Sequence, residues 1–186
     1  MVQDIEAGCA TCPDFTCRLG FRDLGPDNCP MKGDFPTIQE LYGDREDLLA
    51  TARNAAIIEG MGYRKWTRSK EIVELAQRLG VSKVGLAACK TMKLEMDIYA
   101  GWLEDSGFEV LRGRDAVTEG QCGPREQAAF LNSAETGLNV VMGMCVGHDS
   151  LFMHTSRALV TPLVSQDSFL RHHPAAALHT SRTYFD

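Results

Sequence analysis

Val81-Ser82-Lys83-Val84-Gly85-Leu86-Ala87-Ala88-Cys89 is the stretch on which the fold turns. Before it, apolar residues recur at helical spacing. Leu48, Leu49, Ala52, Ala55, Ala56 and Ile58 make one face, and Ile72, Val73, Leu75, Ala76 and Leu79 make a second, with Gly80 as a C-cap. From residue 81 the period changes, and residues 81–87 read as a buried strand. Residues 91–106 then read as a helix with Met92, Met96, Tyr99 and Leu103 on one face, and residues 108–111 as a second strand. Residues 124–133 read as a helix with Pro124 at its first position, residues 138–144 as a third strand, 150–156 as a short helix and 159–164 as a fourth strand. Strands alternating with helices predict βαβ units, a parallel sheet and right-handed crossovers. The expected class is α/β. A Cys-rich metal-binding head (residues 1–36) and a helical segment (37–80) precede an α/β domain (81–186) with a strand-end cysteine crevice.

Composition agrees with a soluble globular protein, since 44% of the 186 residues are hydrophobic and 24% charged. A chain of this length buries roughly 70% of its unfolded surface, enough for a core without disulfide staples. The net charge of −6 lacks the basic footprint of a nucleic-acid binder. No apolar run approaches the ~20 residues that cross a bilayer. The opening Met1-Val2-Gln3-Asp4-Ile5-Glu6 is acidic where an export leader is basic and then apolar, so the expectation is a cytoplasmic protein without a membrane partner. In that compartment seven cysteines read as ligands or reactive thiols rather than as disulfides.

Their distribution separates two regions. Cys9, Cys12, Cys17 and Cys29 crowd the start of the chain, in a segment rich in Cys, Pro, Gly and Asp that has no apolar periodicity. Such a segment has no core of its own to order it. The spacing Cys9-x2-Cys12-x4-Cys17-x11-Cys29 lets two thiolates of a tight loop reach one metal and two more complete a four-thiolate site. Pro13 and Pro30, directly after Cys12 and Cys29, restrict the loop. The uneven spacing matches neither a paired-knuckle zinc ribbon nor the ferredoxin run, so zinc and an iron–sulfur cluster stand equal on spacing.

The other cysteines are placed by the strands. Cys89 follows the first, Cys122 lies in the loop after the second and Cys145 ends the third. In a parallel sheet these are carboxyl ends, where the ligand crevice lies. Cys89 and Cys145 also precede helices, whose N-terminal dipoles favour thiolate. In Cys145-Val146-Gly147-His148-Asp149, Gly147 permits a sharp turn from strand to helix and sets His148 and Asp149 beside the thiolate. His148 is then a metal ligand or proton shuttle, and Asp149 a helix cap or a partner that orients the imidazole. In the tail, His172 and His173 point in different directions whether the backbone is helical or extended. The tail therefore reads as a solvated loop without a joint ion site, with His172 the better candidate for folding back onto the crevice.

The Cys-x2-Cys head, Cys122-Gly123-Pro124 followed by Gln127-Ala128, the run from Gly143-Met144-Cys145 to Leu151-Phe152 and His172-His173-Pro174-Ala175-Ala176 resemble a known group. It is an uncharacterised prokaryotic family carrying a domain of unknown function and labelled as predicted metal-binding proteins. The resemblance spans nearly the whole chain. It implies a cytoplasmic protein of the kind frequent in anaerobic bacteria and archaea, with no established reaction. Three positions depart from that family's habit. Another cysteine often stands where Leu111-Arg112-Gly113-Arg114 is, Asn where His173 is, and Arg where Ser168 is. This chain therefore has three crevice thiols, Cys89, Cys122 and Cys145, rather than four. Three thiolates leave one position of a metal or [4Fe-4S] cluster open, with His148 as fourth ligand or acid/base neighbour.

Three classes follow from these readings. One is an iron–sulfur protein, with one or two clusters, that does redox or sulfur chemistry on a small molecule. The second is an electron-transfer or metal-delivery module that meets a redox partner protein. The third is a protein whose zinc is structural only.

Overall fold

Four strands form one parallel sheet in the order β2-β1-β3-β4: β1 (Lys83–Ala88), β2 (Glu109–Arg112), β3 (Leu138–Met142) and β4 (Leu159–Val164). The computed structural model describes residues 12, 16–27, 29, 38–113 and 123–179. Cys9 and Cys122, each one of the expected ligands, lie outside the described residues. The chain divides into two units, residues 1–49 and 50–186.

The sheet belongs to the second unit, and period-2 alternation assigns its two faces. Val84, Leu86 and Ala88 of β1 and Leu138, Val140 and Met142 of β3 cluster with Ile72, Val73 and Ala76 of α3 (Arg68–Arg78) and with Tyr99, Ala100 and Leu103 of α4 (Lys93–Asp105). The residues between them point the other way. Ala87 and Val141 cluster with Ala128 and Leu131 of α5 (Pro124–Ser133) and with Phe152 of α6 (Val146–Thr155). With helices on both faces, β1 is buried from Val84 onward and β3 throughout, which is why they read as continuous apolar runs rather than alternating ones.

Local signals set the helix ends. Thr67 caps α3 by accepting from the Lys70 N–H. At its other end the Gly80 N–H donates to the Gln77 carbonyl and the Val81 N–H to the Ala76 carbonyl, a Schellman closure that needs the left-handed Gly80 (φ 67°). The earlier helix is α2 (Glu46–Gly62). Among the described residues no helix is long and apolar enough to cross a membrane.

The first unit has little regular structure among its described residues. Two 3-10 turns, Thr16–Leu19 and Arg22–Leu24, precede the short α1 (Ile38–Tyr42). Of residues 12, 16, 17, 20, 21, 23–27 and 29 none is buried, and Phe21 and Leu24 are exposed.

One boundary differs instructively from the sequence reading. The helix expected over residues 150–156 begins at Val146, and the strand expected to reach residue 144 ends at Met142. The turn is made by Gly143 (φ 61°) and not by Gly147, which lies inside the helix. A side chain at Gly143 would run into Met92, so both backbone conformation and packing require glycine there. Met144 is nonetheless buried, and that burial extended the apolar run past the true strand end.

Candidate functional site

The strand order creates the crevice. After β1 the chain crosses by α4 to β2 on one side, and after β3 it crosses by α6 to β4 on the other. The neighbours β1 and β3 thus send their connections in opposite directions, which defines the topological switch point of an open α/β sheet. Cys89 and Cys145 stand at the carboxyl ends of these two strands.

The ladder between them is tight. Ala88 pairs with Met142, and the Cys89 N–H carries the register one step further by donating to the Met142 carbonyl at 3.1 Å. Cys89 is the N-cap of the 3-10 turn Lys90–Met92 that leads into α4, and Cys145 is the N-cap of α6. Neither side chain accepts a capping hydrogen bond from a backbone N–H of its helix. Both thiols are half-buried, and the Thr91 hydroxyl donates to Cys89 Sγ at 3.3 Å. A donor aimed at sulfur suits a thiolate or a metal-bound sulfur.

His148 and Asp149 occupy the first turn and a half of α6. The Asp149 N–H donates to the Cys145 carbonyl at 2.9 Å, so Asp149 follows Cys145 by one turn and caps nothing. Its Oδ1 is buried and has no hydrogen-bond partner among the described residues. Desolvation raises this carboxyl above the ordinary carboxylate range, while the charge of His148 works the other way. Asp149 thus holds a proton more readily than a surface aspartate.

The residue that the sequence reading passed over as chemistry is Gln127. It is 1% exposed, and its side-chain amide clamps one residue. Oε1 accepts from the Ala88 N–H at 3.1 Å, and Nε2 donates to the Ala88 carbonyl at 3.2 Å. This is where β2 gives out. The last bond on that side runs from the Gly113 N–H to the Leu86 carbonyl, and Gln127 supplies the donor and acceptor a longer β2 would have offered Ala88. A Cβ at Gly113 would come within 2.8 Å of the Gln127 amide, so that glycine makes room for the clamp. The signal was a polar residue inside the buried stripe of α5, with Pro124, Ala128 and Leu131 around it.

The remaining candidates are placed as follows. Cys12, Cys17 and Cys29 are half-buried and free; the Cys29 N–H closes a turn on the Pro26 carbonyl at 2.9 Å, and the Gly20 N–H closes one on Cys17 at 3.0 Å. His172 turns inward on its own loop. Its Nδ1 accepts from the Asp167 N–H at 3.3 Å, and its own N–H donates to the Asp167 carbonyl. His173 is exposed. Among the described residues no three His, Cys, Asp or Glu side chains converge as a metal site, and both expected ligand sets draw one member, Cys9 or Cys122, from outside them.

The fold and crevice define a doubly wound parallel α/β protein with thiols at its switch point. The chain belongs to the family described as Protein of unknown function (DUF1847), whose profile matches residues 29–114 and 113–163. That span contains Cys29, Cys89, Cys122, Cys145, His148 and Asp149, whereas Cys9, Cys12 and Cys17 precede it. A relative from Methanocaldococcus jannaschii, Uncharacterized protein MJ0455, is 31% identical over 152 residues, covering 73% of this chain and 79% of its own length. No solved structure matches.

Proposed function

We propose that this chain is a cytoplasmic metal-binding protein of the iron–sulfur type. In this reading Cys9, Cys12, Cys17 and Cys29 hold a four-cysteine centre, and Cys89, Cys122 and Cys145 hold a second, open site in the crevice. The observation that carries it is the pair Cys89 and Cys145, each an N-cap at the carboxyl end of a strand flanking the switch point. The fit rests on donor chemistry. Sulfur is the preferred donor for iron–sulfur clusters and for zinc, and a buried carboxylate oxygen with no partner among the described residues stands one helical turn from Cys145.

A cluster bound there supplies one-electron redox capacity and an open coordination position. The chain's own groups prepare the site. The N-terminal amides of α6 favour negative charge at Cys145. The Thr91 hydroxyl steadies the Cys89 sulfur. Burial shifts the Asp149 carboxyl toward its protonated form beside His148, which acts as fourth ligand or as proton shuttle. The substrate class is a small molecule undergoing redox or sulfur chemistry, or the centre passes electrons to a redox partner protein.

Metal, sulfide and absorption measurements on protein purified without oxygen test this directly. The expected result is iron and acid-labile sulfide with a broad visible absorption that bleaches on reduction. The variants Cys89→Ser and Cys145→Ser should each remove the iron of one site while the head retains its own. Colourless protein with stoichiometric zinc would sink the iron–sulfur reading and leave a structural zinc protein.

A further inference from the structure

Helix α4 buries one face and leaves another bare. Tyr99, Ala100 and Leu103 pack into the core, whereas Leu94, Ile98 and Trp102, spaced four apart, are 68%, 50% and 57% exposed. At about 100° per residue these three fall within roughly 80° of one another, a stripe about 12 Å long. Exposed apolar residues are ordinary when scattered, but three successive ones on a single helix make a patch.

Two further features belong to the same stripe. Gly101 borders it in the interior of the helix, with an ordinary negative φ, and a Cβ there would meet nothing. Among the described residues neither backbone conformation nor packing requires this glycine, which helix interiors disfavour relative to alanine. Its absent side chain lets a second helix approach closely. The stripe also ends in opposite charges, Lys90 at the N-terminal end and Asp105 at the C-terminal end. Both are exposed and neither makes an ion pair among the described residues. Their neighbours are engaged: Asp97 pairs with Lys93 and Arg112, and Glu104 with Arg112.

We infer that α4 is an interface with α4 of a second copy of this chain, packed antiparallel about a two-fold axis at Ile98. In that arrangement Ile98 meets its counterpart, Leu94 meets Trp102, and Lys90 of each copy faces Asp105 of the other. The charges choose the orientation. Antiparallel packing sets opposite charges against each other at both ends, whereas parallel packing would oppose Lys90 to Lys90 and Asp105 to Asp105. A lipid surface fits worse, because Glu95, Asp97, Glu104 and Asp105 line the same helix and anionic headgroups would repel them. The contact is small, so its dissociation constant should be on the order of 10 μM.

Sedimentation velocity on the full chain with thiols kept reduced, from about 1 to 200 μM, tests this inference. Wild-type protein should pass from monomer to dimer across that range. Ile98→Glu should weaken the dimer at least roughly 100-fold while circular dichroism and the melting midpoint stay unchanged, since Ile98 is half exposed. Lys90→Glu and Asp105→Lys should each weaken association roughly tenfold, and the double reversal should restore it. A chain that stays monomeric throughout, or an Ile98→Glu variant that dimerises normally, would overturn the interface. A double reversal as weak as either single change would overturn the antiparallel pairing.

Discussion

Between Cys12 and Cys29 no described side chain is buried, whereas Val84, Leu86, Ala87, Val140 and Val141 in the sheet are wholly enclosed. Apolar burial is therefore available to order the sheet and not the described head residues. Fixing a residue costs about 1–2 kcal/mol of backbone entropy, and burial offsets that cost in the sheet domain through two apolar layers. In the described head residues, turn hydrogen bonds and half-exposed thiols are what remains, with Phe21 and Leu24 facing solvent. A head ordered by metal would depend on bonds to sulfur, as the sheet core does not. Substitutions should reveal that difference.

The largest effect is expected in the head. If metal orders it, the free energy at stake is on the order of 10 kcal/mol, so Cys12→Ser or Cys29→Ser should lower metal content and open the segment to protease, with the sheet domain's melting unchanged. Retention of full metal and full protease resistance by both variants would remove the head site and with it the contrast between the regions.

The sheet domain should respond to volume instead. Phe152 is fully buried against α5 and the sheet, so Phe152→Ala should cost about 3–5 kcal/mol in urea denaturation while the head's metal content stays constant. Loss of head metal in this variant would mean that the regions are coupled. Gln127→Leu comes next, at about 2–3 kcal/mol, because it leaves the Ala88 N–H and carbonyl buried without partners. Amide exchange at Ala88 should quicken more than at Val84, which separates a local release of the β1 end from general loosening.

The smallest effect is electrostatic. Burial raises the Asp149 carboxyl above its ordinary 3.8, so the folded state prefers the protonated form. Its stabilising contribution is full below that ordinary value and is lost as pH rises through the raised one. Asp149→Asn removes the loss. The melting midpoint should rise by roughly 1–2 °C at neutral pH and match wild type below pH 3.8, a small change because the carboxyl is only partly buried. Equal midpoints at every pH would deny Asp149 its desolvated environment.

Much of the fold was legible because local chemistry and final structure agree. Pro124 at a first helical position predicted α5 over the residues it occupies, and β4 runs over the residues read as a strand. The crevice was legible in outline, since cysteines after β1 and β3 had to share the carboxyl edge of a parallel sheet. Other features escaped. Gly147 was read as the turn, but the left-handed residue is Gly143, a choice made by its contact with Met92 from a different segment. The role of Gln127 was invisible because its partner, Ala88, lies 39 positions away.

The sequence by itself determined the alternation of helix and strand and which thiols follow which strand, because these depend on periodicity and punctuation within a few residues. Only the tertiary structure decided that β1 and β3 are neighbours, that Gln127 completes the β1 edge where β2 stops, and that one carboxyl oxygen of Asp149 is left unpartnered among the described residues. The reason is that strand adjacency follows from the side to which each crossover swings, and burial from what then packs above it. Neither quantity is encoded within a single segment of the chain.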